Sequence, residues 1–270
     1  MIREPVVAGM FYPADADELR NAVSGYIRSS GCTHDPAVRG IVSPHAGYVY
    51  SGPVAGAAFA AAPGEVERVV ILAPSHRYPV YGSSVLDADG FRTPLGVVEI
   101  DSGVVSGLLK AGLSYEPRAH VSEHSTEVQV PFVQVLWPNA SLVVVIQGEV
   151  SSQHSASVAA HLNRVLSDGR KTLIVASSDM SHYHSQEQAR RMDRQIVDAF
   201  LTANPEPLVS VLRDGSGEAC GAGPMLTLLS WAGLSGYSRT REIAYDTSAT
   251  ASGDSSRVVG YFAGAVLEGE

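Results

Sequence analysis

The stretch Val69-Val70-Ile71-Leu72-Ala73-Pro74-Ser75-His76 decides the fold. Its apolar residues are continuous rather than alternating and mostly β-branched, and they end in small and polar residues. A strand with this pattern is covered on both faces, as in a parallel sheet between helices. Three more segments share the design: Gly40-Ile41-Val42-Ser43-Pro44-His45, Leu142-Val143-Val144-Val145-Ile146-Gln147-Gly148-Glu149 and Leu173-Ile174-Val175-Ala176-Ser177-Ser178-Asp179. Working outward, helical stripes lie between them: Leu19, Val23, Tyr26 and Ile27, then Val158, Leu162, Val165 and Leu166. A third helix is expected from near Ser122 through Glu127, Val130 and Val133. A fourth follows Ser185 with Met192, Ile196 and Phe200, and a fifth starts at Pro224. Two final strands, 241–245 and 257–266, flank a Ser/Thr/Asp-rich loop. No repeat, linker or charge block divides the chain. The expectation is one α/β domain over residues 1–270, with a central mixed, mostly parallel sheet flanked by helices.

Composition excludes several functions. With 19 basic residues scattered among 28 acidic ones, the net charge of −9 disfavours nucleic acid, which needs clustered Lys and Arg. No apolar run approaches the roughly 20 residues that cross a bilayer, and the start Met1-Ile2-Arg3-Glu4-Pro5 has no signal-peptide pattern. A cytoplasmic protein is expected, away from membranes. Its two cysteines, Cys32 and Cys220, make no disulfide framework, which leaves a thiol free to be a ligand.

In open α/β sheets, ligands bind where the carboxyl ends of strands meet their loops. His45 and His76 each lie just past such an end behind a proline that restricts the turn, and a third end carries Asp179 and His182. Asp179 also reads as a turn or cap residue for the following helix. Cys220 stands in Gly217-Glu218-Ala219-Cys220-Gly221-Ala222-Gly223-Pro224, where amide dipoles before a helix favour a thiolate; a small buried filler is the plainer alternative. Glu123 and Glu127 flank His124 and Ser125 at an expected helix start and suit capping, with His124 a candidate support for the pocket. His34, His120, His154, His161 and His184 read as surface or packing residues. Two imidazoles and a thiolate form a donor set suited to Zn, Cu or Fe, with positions left open for a small molecule.

Together the segments resemble the Memo family, whose microbial members are called AmmeMemoRadiSam system protein B. The resemblance rests on Pro44-His45-Ala46-Gly47-Tyr48 with Ser51-Gly52, Pro74-Ser75-His76, Glu123-His124-Ser125, Val175 to Tyr183 and Cys220-Gly221, in that order. The opening Arg3 to Pro13 and the late Asp254 to Tyr261 extend it over nearly the whole chain. It implies a fold like that of class III extradiol ring-cleavage dioxygenases. It also implies a metal site on His45, His76 and Cys220, with pocket residues Asp179, His182 and His124. One transition metal ion, Fe or Cu ahead of Zn, is the implied cofactor, and a radical-SAM protein and an AMMECR-type protein are implied pathway companions. Ring-cleavage dioxygenases use a glutamate where this chain offers Cys220, with Glu218 two residues away as the alternative; an oxidisable thiolate puts ring cleavage in doubt. Three functions follow: a metal-dependent redox enzyme, a non-catalytic module for a peptide or small ligand, or a zinc hydrolase.

Overall fold

The structure, a computed structural model, describes residues 1–269. The principal sheet runs β10 (Arg239–Thr247), β11 (Val258–Leu267), β2 (Val38–Ser43), β8 (Thr172–Ser177), β3 (Arg68–Pro74), β7 (Ser141–Gln147) and β4 (Ser83–Val85), and β9 (Asp179–His184) pairs with β11. The four central strands β2, β8, β3 and β7 are mutually parallel, whereas the strands outside them pair antiparallel. This is the mixed sheet that the sequence predicts. The division follows composition, because every residue of β3 is buried and only a strand covered on both sides can be apolar throughout. Ile71 and Leu72 are fully buried, and each burial stabilises the fold by about 2–3 kcal/mol. A second, small sheet joins β1 (Ile2–Arg3), β5 (Gly90–Thr93) and β6 (Gly96–Glu99).

Among the described residues the α-helices are α1 (Ala16–Ser29), α2 (Tyr48–Ala60), α3 (Ser102–Ala111), α4 (Pro117–Val121), α5 (Val130–Leu136), α6 (Ser152–Val165), α7 (Gln186–Phe200), α8 (Pro205–Asp214), α9 (Ala222–Leu234) and the short α10 (Ala249–Ser252). On one face α2 packs against β2, β10 and β11, with α1 beside it. On the other α9 packs against β3 and β8, with α6 and α8 against it, and α7 against β9, β10 and β11. The amphipathic stripes are buried as expected: Leu19 and Val23 in α1, Val158 and Leu162 in α6, Ile196 and Phe200 in α7. By contrast α2 is buried nearly all round, so it shows no stripe to a sequence reader.

The helix expected from Ser122 is a correction. The chain makes α4, a turn, a short 3₁₀ segment Glu127–Gln129 and then α5. Pro131 has no N–H to donate and takes its place in the first turn of α5, while the Glu123 carboxylate turns back to accept the Ser125 amide at 3.0 Å.

Candidate metal centre

Because β2, β3 and β8 are parallel, the loops leaving them emerge on one edge. That edge carries His45 two residues past β2 and His76 two residues past β3. His124 arrives from the turn between α4 and the 3₁₀ segment. Ring nitrogens of His45, His76 and His124 all lie within 4.8 Å of one another. His45 is buried, His124 half-buried and His76 exposed at the mouth. The ring centroids are 4.8–5.6 Å apart, with His76 and His124 the closest pair.

Cys220 reaches His45 from a distant part of the chain, while the donor atoms that cluster together are those of the three histidines. Its sulfur is 3.2 Å from His45 Nε2 and accepts the Asp179 amide at 3.3 Å. The Cys220 amide donates to the Asp179 carbonyl at 3.2 Å. Gly221 makes this approach possible: a Cβ there would lie 2.2 Å from the Ser177 carbonyl oxygen. Glu218, the alternative donor, instead pairs with His184 at 3.1 Å, and Cys32 stays with its own loop against Ser30.

The rings are held from behind. His45 Nδ1 meets the Ser177 hydroxyl at 2.9 Å. His76 Nδ1 donates to Glu123 Oε1 at 3.0 Å, and the His76 amide donates to Glu123 Oε2 at 2.6 Å. His124 Nδ1 is buried, makes no hydrogen bond and stands 3.3 Å from Glu123 Oε1. Asp179 opens β9 and does not cap α7, whose cap is Ser185; its carboxylate accepts the His45 amide at 2.7 Å.

Residues 3–265 match the family model described as "Memo-like protein". The chain belongs to the Memo family. It is 33% identical over 275 residues to a MEMO1 family protein of Methanothermobacter thermautotrophicus, covering 97% of this chain and 99% of the relative. A MEMO1 family protein of Ignicoccus hospitalis is 34% identical over 278 residues, with 97% and 98% covered. Among solved structures, an uncharacterized protein from Escherichia coli K12 overlaps 74% of this chain and 86% of its own, with TM-score 0.46 and 13% identity.

The electrostatics of this Memo-family cluster are those of a group that could hold a metal ion. Burial, with His76 and His124 nearby, holds the His45 imidazole well below its ordinary proton affinity. Burial likewise lowers His124 to about 4. Both rings are therefore neutral near pH 7, the form that donates a lone pair to a metal. Burial pushes the Glu123 carboxyl up, but hydrogen bonds from the His76 ring and from the His76 and Ser125 amides outweigh it, so the group stays ionised. Burial raises the Asp179 carboxyl to about 7, against the pull of the His45 amide. At Cys220, burial, reinforced by the Asp179 carboxylate, pushes the thiol up and outweighs the amide bonds. His182, the next side chain along β9 after Ser181, is lowered by burial and feels the charge of His76.

Capping does not explain the two glutamates. Glu123 is fully buried and anchors His76. Glu127, also fully buried, pairs with Arg3 and accepts the Val6 and Val7 amides and the Tyr12 hydroxyl. Ser177 and Gln129, at the back of His45, carried no signal in their local sequence. Their role arises from contacts between β8 and a segment 48 residues away.

Proposed function

We propose that this Memo-family chain is a cytoplasmic non-haem iron or copper protein that uses its metal in redox chemistry. The observation that carries the reading is the convergence of three imidazoles at the carboxyl edge of the parallel strands, with the Cys220 sulfur against one of them, His45. The donor set fits the family's implied metal: imidazole suits Fe, Cu and Zn, and the soft sulfur favours Cu(I), Zn or Fe over Mg or Ca. His45, His76 and Cys220 would hold the ion, with His124 the further imidazole within reach. When bound, the metal supplies Lewis-acid and one-electron chemistry.

The remaining residues serve the bound molecule. Asp179, raised to about 7, is suited to take up or release a proton at neutral pH, and it fixes the loop of His45 through that residue's amide. His182, on the same strand, is the second proton carrier. Exposure of His76 puts the entry for a small molecule or peptide end on its side of the cluster.

The test is metal analysis of protein prepared anaerobically, with anomalous scattering recorded at the Fe, Cu and Zn edges. Near-stoichiometric iron or copper is expected, falling to background in His45→Ala and reduced in Cys220→Ser. Zinc alone, with ester or phosphate hydrolysis, would replace this reading by the zinc hydrolase. Ligand binding undiminished in metal-free protein would favour the non-catalytic module.

A further inference from the structure

Ser177 is a fully buried hub. Its hydroxyl oxygen lies 2.7 Å from the Ser125 carbonyl, 2.8 Å from Gln129 Nε2 and 2.9 Å from His45 Nδ1. A serine hydroxyl has one proton to donate and two lone pairs to accept with. The Ser125 carbonyl can only accept, so it takes the proton. The Gln129 amide is oriented by the Pro44 carbonyl, 3.0 Å from Nε2, which also can only accept; Nε2 is therefore the NH₂ end and donates its other hydrogen to Ser177. One lone pair is left, and only a hydrogen on His45 Nδ1 satisfies it.

We infer that Ser177, oriented by Ser125 and Gln129, is a positioning residue that locks His45 as the Nδ1–H tautomer and so presents Nε2 as a lone-pair donor before any metal arrives. The inference deepens the metal-centre reading and rests on it for its purpose, though not for its chemistry. His45 is buried, and an imidazole with one proton can carry it on either nitrogen. In the other tautomer Nε2 would carry that proton and face Cys220 with no free lone pair. A metal would then have to wait for the proton to move. The Glu123 carboxylate imposes the same tautomer on His76, because it too can only accept. At His45, a serine does the work without adding a second buried charge beside Asp179.

The experiment uses metal-free protein with ¹⁵N-labelled histidine, read by NMR at pH 7, with zinc alone as the probe of affinity. His45 is expected to be protonated at Nδ1 in the natural chain and to become a mixture of tautomers in Ser177→Ala. Zinc affinity is expected to fall roughly 10-fold to 100-fold in that variant, the usual effect of losing a partner behind a ligand. Gln129→Met, which frees a lone pair on Ser177 without removing the hydroxyl, is expected to give a smaller shift towards the mixture. A natural chain protonated at Nε2 overturns the inference, as does an unmixed His45 in Ser177→Ala. Should that variant not fold, the natural chain and Gln129→Met still decide it. A locked tautomer in protein that binds no metal would instead refute the metal-centre reading alone.

Discussion

The two ends of the central strands bury polar side chains to opposite effect. At the amino end, Arg68 of β3 is almost fully buried. Its Nε donates to Asp101 at 2.8 Å, Nη1 to Asp168 at 3.1 Å, and Nη2 to the other Asp168 oxygen. Arg170 adds a 2.8 Å bond to the same Asp101 oxygen. That end is a closed network in which the cation is matched by carboxylates. At the carboxyl end, His45 and His76 are tethered from behind by a buried hydroxyl and a buried carboxylate, and ring nitrogens remain free in one small space. One network is saturated and holds the strands; the other is left short of partners and can bind. Burial alone therefore does not mark a functional group. Unused bonding capacity does.

Breaking the saturated end should have the largest effect. Arg68→Ala removes the buried cation, leaving Asp101 with Arg170 alone and Asp168 without its guanidinium partner, and is expected to lower the unfolding free energy by about 3 kcal/mol. Zinc affinity of the folded fraction should stay unchanged, read by denaturant titration beside a chelator competition. If affinity falls with stability, the two ends are not separate. The open end is probed by Glu123→Gln, which keeps the shape but removes the charge behind His76. A roughly tenfold loss of metal affinity is expected, measured by the same competition, and an unchanged affinity would mean that His76 needs no anchor.

The smallest effect is the pH dependence of the metal-free protein. Burial lowers the proton affinity of His45, His120, His124 and His182, the second and third to about 4. As pH falls below the ordinary imidazole value of 6.5, the unfolded chain takes up protons that the folded chain refuses, so stability is lost until about pH 4. Asp179, raised to about 7, and Asp193, also raised by burial, act the other way, since the folded chain protonates them first on the way down. Four rings against two carboxyls predict a net fall in the denaturation midpoint between pH 6.5 and 4. A midpoint that rises over this range would contradict the buried, neutral state of the rings.

Much of this protein was decided by neighbours along the chain. Runs such as Val69 to Ala73 specify covered strands, the stripes of α1, α6 and α7 specify helices, and His45 and His76 past their strand ends mark the site, because hydrophobic period and turn chemistry act over a few residues. Their order along the chain also carries the family likeness. Tertiary structure alone decided the rest. It brought His124 into the cluster and turned Glu123 from a helix cap into the anchor of His76. It seated Cys220 against His45 through Gly221 and set Asp179 on the His45 amide. It also raised the Cys220 thiol where the local dipoles suggested a thiolate. In each case the deciding partner lies 41 to 175 residues away. Burial, which only the assembled layers create, is strong enough to reverse what local sequence favours.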